Sequence, residues 1–504
     1  MRRVLASLVF VLAACTASAP PDETPTTAAP TSPPSTTVAV TTSVAPPTQA
    51  PTTTQAATTT TVVQPAPPGG FGVVEGLTMF RGNPTRTFYG TGPIPKSPEV
   101  LWRFPDEPMC SVSRLAGEDK VWCGSGWTGQ PVVWERPDGV TEVIVGAYDQ
   151  RVHFLDAATG ERTRPDFFVG DIIKGSVVLD PDGYPLLYVG SRVSRYMVVA
   201  LDRPEPVELW GLRSDSVDGI WNNDWDSSPA IVDGYLIEGG ENSHFFAVKL
   251  NRDYDQDGLV KITPEVVAAI PSWTDELLAA VGTQQSIESS PAVFDSVAYV
   301  GTGAGRVMGV GLEDLESGSA EIVFDFWAGD DIDSTIVIDA EGMLYVAPQV
   351  DLQTRRAAEV GQLIKLDPSR PHSPLIWSLA IPSEGGAVGG AWATPALHAG
   401  HLYVPTNPGE LLVVDTESGD VVWSDDVGFH AWSSPLVIDE TLIVAVNCGT
   451  VPALRAYDLA DPRQPALEWE VPISAGCLES TPAMWNGRIY VGSRDGYFYA
   501  VGDR

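Results

Sequence analysis

One motif returns along the chain in eight copies, mostly forty to sixty residues apart, and it limits the fold more than any other feature. The strong copies read DWDSSPAIVDGYLIEGG from 224, SIESSPAVFDSVAYVGT from 286, DIDSTIVIDAEGMLYVA from 331, GAWATPALHAGHLYVPT from 390, HAWSSPLVIDETLIVAV from 430 and CLESTPAMWNGRIYVGS from 477. Looser copies start at 129 (GQPVVWERPDGVTEVIVGA) and 172 (IIKGSVVLDPDGYPLLYVGS). Each copy has an apolar run, a Gly/Asp/Asn turn, and a second run alternating with period two. A third run follows, as in HFLD at 153 or FAVKL at 246, and a fourth usually ends in an aromatic such as Trp210, Trp327, Trp377, Trp423 or Trp469. Four short antiparallel strands per period are the mark of a β-propeller blade. One blade cannot bury both its faces, so blades stack in a ring.

The ends of the chain suggest how that ring closes. The last copy stops at YAVGDR, after its third strand, whereas EVLWRF at 99–104 has the fourth-strand form before the first copy. The expected fold is all-β, an eight-bladed propeller whose last blade is completed by the strand of Trp102, with no open edge there. Seven blades is the alternative, should one looser copy not be a blade.

The order Ser-Ser-Pro-Ala, Tyr-Val-Gly, Ala-Leu-Asp with a Thr-Gly turn, then Trp, resembles the pyrroloquinoline-quinone (PQQ)-type repeat over roughly residues 97–504. That family includes quinoprotein dehydrogenases and the BamB-type propeller lipoproteins that scaffold outer-membrane assembly. The resemblance implies the fold; it does not choose between enzyme and non-enzyme.

The N-terminus reads as an export signal. Arg2 and Arg3 precede the apolar run 4–12, and Leu12-Ala13-Ala14-Cys15 resembles a bacterial lipobox. This predicts a lipoprotein signal peptide over 1–14, cleavage before Cys15, and lipidation of that cysteine. An ordinary signal peptide with an incidental cysteine is the other reading. Residues 15–70 are nearly all Thr, Pro, Ala, Ser, Val and Gln, too poor in apolar bulk to fold. Extended near polyproline II pitch, such a linker reaches on the order of 170 Å. The PQQ-like head is then 71–504, lipid-anchored at the cell surface or in the periplasm.

Charge and cysteines narrow the partners. Lys and Arg number 30 against 65 Asp and Glu, a formal charge of −35. Nucleic acid is excluded as a partner, since neutralising phosphates needs a basic surface. The expected partners are the membrane, through the lipid, and envelope proteins or a small polar ligand; the head is expected to be a monomer. The four cysteines beyond Cys15 allow three pairings, and proximity favours Cys110–Cys123 and Cys448–Cys477.

In a propeller the residues leading into each inner strand converge on one mouth of the central channel. Those positions hold Trp127, Lys174, Asp226, Glu288, Asp333, Trp392, Trp432 and Glu479. Beside them stand Trp221, Asn222, Asn223, Asp224, Trp225, Asp331 and His430. Carboxylates, amides and aromatics gathered in one concavity suit a small polar ligand, a sugar or a cation. The competing reading is structural, with Ser, Thr and their neighbours clipping blades together. The WNNDWD run at 221–226 is richer than the repeat requires.

The segment NRDYDQDGLVK at 251 resembles the start of a calcium loop, through Asp253, Asp255, Asp257 and Gly258, but Pro264 stands at its twelfth position. Structural calcium and a plain Asp-rich turn are both open, on the face opposite the mouth. The expected function is a non-catalytic ligand-binding or interaction scaffold of the cell envelope. The alternative is a PQQ-dependent dehydrogenase of alcohols or sugars, with Asp224 or Asp226 as base and Trp225 or Trp392 as stacking surface. Adjacent cysteines and a haem-attachment motif, which that chemistry often uses, are absent from the sequence.

Overall fold

The computed structural model describes residues 70–504 apart from 116, 128, 387, 449 and 450; Cys15, the signal and most of the linker lie outside the described residues. The period-two runs form eight four-stranded antiparallel blades arranged as a propeller. Blade 1 starts with Val132–Glu135 and blade 2 with Val178–Leu179. Blades 3 to 7 start with Ala230–Val232, Ala292–Phe294, Val337–Ile338, Ala396–His398 and Leu436–Ile438. Blade 8 joins Ala483–Trp485, Arg488–Gly492 and Phe498–Gly502 to the early strand Glu99–Phe104, which pairs antiparallel with Phe498–Gly502. The split last blade is as the sequence predicts, and seven blades is ruled out.

The core lies between blades. One cluster joins Leu77, Val143 and Leu155 of blade 1 to Tyr490, Phe498 and Ala500 of blade 8. Another joins Ile144 and Phe154 of blade 1 to Leu187 and Val199 of blade 2. The pattern repeats around the ring, so each sheet buries both faces only because it has two neighbours. Fully burying one such side chain stabilises the fold by roughly 1.5–3 kcal/mol.

The Ser-Ser-Pro motif explains the pitch of the ring. Its second hydroxyl accepts a backbone N–H from the preceding blade. Ser228 N donates to Ser290 Oγ at 2.9 Å, Ser290 N to Thr335 Oγ1 at 3.1 Å, and Thr335 N to Thr394 Oγ1 at 3.0 Å. Thr394 N donates to Ser434 Oγ at 3.0 Å, and Ser434 N to Thr481 Oγ1 at 3.4 Å. Gln130 N reaches Ser176 Oγ at 2.9 Å. These hydroxyls are buried structural clips, the bland reading of the motif.

A segment before the first repeat closes the channel. Glu75–Leu77 pairs with the inner strand of blade 1, and the chain then crosses the hub. It bonds to every other blade: Thr78 O to Leu179 N, Pro84 O to Val293 N, Thr85 O to Ile338 N, and Thr91 N to Met484 O. Tyr89 Oη bonds to the backbone of Leu397. Arg81 donates to the carbonyl oxygens of Pro435, Thr394 and Pro395, and Arg86 to those of Pro291, Phe80, Ser228 and Pro229. Both arginines are 0% exposed. Burial pulls them down to about 10 and about 9, still charged at neutral pH. The hub is thus plugged beneath the ring of inner strands.

The disulfides are Cys110–Cys123 and Cys448–Cys477. The first staples a hairpin, Cys110–Leu115 with Glu118–Cys123, at the mouth face. The second ties blade 7 to the lead-in of blade 8. No helix among the described residues is long and apolar enough to cross a membrane.

Candidate functional site

The lead-in residues form a ring of two unlike halves. Lys174, Asp226, Glu288 and Asp333 come from consecutive blades, followed by Trp392 and Trp432. Trp392 stacks on Trp432 with centroids 4.1 Å apart, and His430 stacks on the other side of Trp432 at 4.8 Å. Trp432 Nε1 donates to Asn407 Oδ1 at 2.7 Å. Trp127, from blade 1, reaches across to Trp392 at 6.1 Å and lies 5.7 Å from the Lys174 ammonium. The aromatics wall one side of the mouth, and Trp127 covers its centre.

The other side is carboxylate. Asp226, Glu241 and Glu288 each place an oxygen within 4.8 Å of the others. Lys174 pairs with Asp226 and lies 3.5 Å from Glu241 Oε1. Asn222 Nδ2 donates to Glu241 Oε2 at 2.8 Å. Asp224 pairs with Arg192. Farther round, Gln349 donates to Asp333 at 2.8 Å and Gln284 to Asp331 at 3.1 Å. Glu479 faces Arg494 at 3.4 Å, and Arg494 lies over the Tyr148 ring at 4.7 Å.

Burial and crowding set the protonation. Glu241, Glu288 and Asp331 are held well above the usual carboxylate range, first by desolvation and then by neighbouring carboxylates. Asp333 rises to about 6, chiefly by desolvation, although Gln349 and Asp331 hydrogen-bond to it. Asp224 also rises to about 6, because burial and Asp226 outweigh Lys174 and Arg192. Lys174 moves the other way. Burial alone would lower it, but attraction to Asp226, Glu241 and Glu288 wins and holds it well above its ordinary value. The ammonium therefore stays charged, and crowding makes the buried acids of the arc harder to ionise than free carboxyls.

Several sequence expectations change here. Trp225 is not at the mouth: it is 0% exposed and packs on Tyr196 and Phe246 at 5.7 and 5.5 Å. The cause is alternation. In an extended lead-in, Asp224 and Asp226 turn to the channel and the residue between them turns into the core. Trp221 stands on the rim, 48% exposed. Asn223 is exposed, its N–H held by Asn222 Oδ1 at 2.9 Å. On the opposite face, Asp253 pairs with Lys261 at 3.0 Å. Asp255 Oδ1 accepts from the backbone of Asp257 and Leu259 at 2.9 Å each. Those three aspartates form no clustered ligand set among the described residues. Glu241, Gln284 and Gln349 were not anticipated from the sequence. Each follows a second strand or precedes a lead-in, so position in the repeat was their one available signal.

Comparisons with known proteins agree with this architecture. A PQQ-type repeat model, described as outer membrane protein assembly factor BamB, matches residues 358–501. The outer membrane protein assembly factor BamB of Yersinia pestis is 24% identical over 317 residues, covering 62% of this chain and 68% of that protein. The head is a β-propeller whose repeats are similar to the PQQ type. The crystal structure of BamB from Moraxella catarrhalis superposes on this propeller with a TM-score of 0.51 at 14% identity, covering 81% of this chain and 98% of that one. A europium-containing methanol dehydrogenase gives 0.58 at 12% identity, over 86% and 98% of the two chains. Quinohemoprotein alcohol dehydrogenase from Comamonas testosteroni gives 0.56 at 13%, over 85% and 80%. At these identities the solved structures speak to the fold alone.

Proposed function

We propose that the protein is a lipid-anchored, non-catalytic interaction propeller of the cell envelope that engages a partner through its mouth face. The observation that carries this reading is the make-up of that face. Its channel is sealed below by residues 78–91 and covered above by Trp127. Its rim, by contrast, exposes Trp221 (48%), Phe429 (43%) and Val451 (63%), with Val121 (69%) on the stapled hairpin. Large exposed apolar side chains around a polar centre suit protein contact better than turnover of a small substrate. The likeness to BamB of Yersinia pestis, a protein named for outer-membrane protein assembly, supports a role among envelope proteins.

The test is site-specific photocrosslinking in the native host. A photoreactive amino acid at Trp221 or Phe429 is expected to yield discrete protein adducts in the membrane fraction. The same group at Asp257, on the opposite face, is expected to yield none. Adducts from Asp257 alone, or from no position, would sink the proposal. Cys15→Ser should release the protein from membranes, and continued membrane association would overturn the anchor.

A further inference from the structure

We propose that Lys174 is a tethered cation filling a carboxylate cage that would otherwise take a divalent metal ion. The inference stands apart from the scaffold reading, since it concerns what occupies the cage and not who docks outside it. Asp226, Glu241 and Glu288 come from two blades, yet their oxygens lie within 4.8 Å of one another. Three hard carboxyl oxygens at that spacing are the beginnings of a calcium or lanthanide site, whose cation would displace the protons they hold. Asp226 is 1% exposed, and its Oδ1 has no hydrogen-bond partner among the described residues. A buried carboxylate oxygen in that condition needs a positive neighbour.

That neighbour is already present. The Lys174 ammonium, from blade 2, pairs with Asp226 and sits 3.5 Å from Glu241. It occupies the space in which an ion would meet these oxygens. The quinone cofactor implied by the repeat requires a cation in the channel mouth, and these residues do not fit that requirement while Lys174 holds its place. A metal ion arriving at the cage would face a resident ammonium, and expelling it would strand a buried positive charge beside Trp127. Removing the lysine side chain reverses the balance, leaving three clustered acids whose nearby positive charge, Arg192, is already paired with Asp224.

The experiment uses the full-length mature chain and three variants: Lys174→Met, Lys174→Gln, and Lys174→Met combined with Asp226→Asn. Binding is read by calcium titration calorimetry and by terbium luminescence sensitised through the neighbouring tryptophans. The double variant reports any other cation site, including the 253–257 turn. The wild type is expected to match the double variant up to about 1 mM calcium, the weak end of protein calcium sites. Each single variant is expected to bind one further equivalent at least tenfold more tightly. The idea is overturned if the wild type binds one equivalent that the double variant does not. It is equally overturned if both single variants fold but bind no more than the double variant. Should they fold only when calcium or terbium is supplied, the cage is confirmed. Failure to fold with and without metal counts against it, because a cage waiting for an ion is then not what the lysine leaves behind.

Discussion

The indole of Trp102 rests on the backbone of Gly160, so closely that a Cβ there would stand 2.8 Å from the ring. Its Nε1 also donates to Ala157 O at 3.1 Å. Trp377 lies on Gly419 in the same way, with a Cβ distance of 2.7 Å and a bond to Thr416 O at 2.9 Å. The fourth-strand aromatic and the Thr-Gly turn of the repeat are thus two halves of one contact, made by a blade with its successor. In the split blade that contact also fastens the N-terminal strand. Trp102→Ala is expected to lower stability by about 2–4 kcal/mol, at or just under the range for deleting a core aromatic. Thermal melting checks this, and an unchanged midpoint would show that backbone pairing alone closes the ring.

The hydroxyl clips make a sharper prediction. Thr394→Val keeps shape but leaves the buried Thr335 N–H without its acceptor, costing about 1–3 kcal/mol. Thr394→Ser keeps the acceptor and is expected to cost less. A loss for Thr394→Ser with none for Thr394→Val in chemical denaturation would mean that the methyl packing, not the hydrogen bond, matters.

At the hub, Arg86→Met replaces a buried guanidinium with an apolar chain of similar length. The carbonyl oxygens of Pro291, Phe80, Ser228 and Pro229 lose their donor together. A loss of about 3–5 kcal/mol is expected, as for breaking a buried charged contact. A denaturation midpoint within error of wild type would refute the idea that the arginine anchors the plug.

Glu238 supplies a pH test. Burial pushes it up to about 8, from an ordinary 4.5, despite a hydrogen bond from Ser227 at 2.7 Å and the nearby Arg86 charge. A raised acid contributes stability that is complete below its unfolded value and is lost as pH rises through the folded value. Between about pH 4.5 and 8 this residue alone should weaken the head by about 1.4 kcal/mol per pH unit. Asp333 and Asp224 act in the same direction over a lower window, ending near 6. Glu238→Gln is expected to reduce the slope by about one proton while leaving stability near pH 5 little changed. Denaturation midpoints at pH 5, 6, 7 and 8 would show it; a steeper slope in the variant would contradict the assignment.

Much of this was legible because a repeat writes its rules many times over. The Ser-Ser-Pro copies, the closing role of Trp102 and both disulfides could be read directly, since each depends on local pattern or chain proximity. The sequence failed where a side chain's partner comes from elsewhere in the ring. Trp225 looked like its neighbours and is core because alternation turns it inward. Glu241 looked like a loop acid, yet it shares Lys174 with Asp226 of the lead-in. The hub plug was invisible because it occurs once, and a feature that does not repeat has no register to reveal it. Its trace was two arginines five positions apart in MFRGNPTRTFYG, an otherwise weakly charged stretch.

That plug also determines how a force on the preceding chain would enter the ring. Phe71 N bonds to Gly183 O at 2.7 Å, in the first turn of blade 2, so the chain reaches the ring on the face away from the mouth. Any pull transmitted along residue 70 arrives at the axis rather than at the rim. It meets the Glu75–Leu77 pairing lengthwise, as shear, and passes through Arg81 and Arg86 into carbonyl oxygens of blades 3, 4, 6 and 7. The load is divided around the wheel at its hub, and no single blade has to bear it alone.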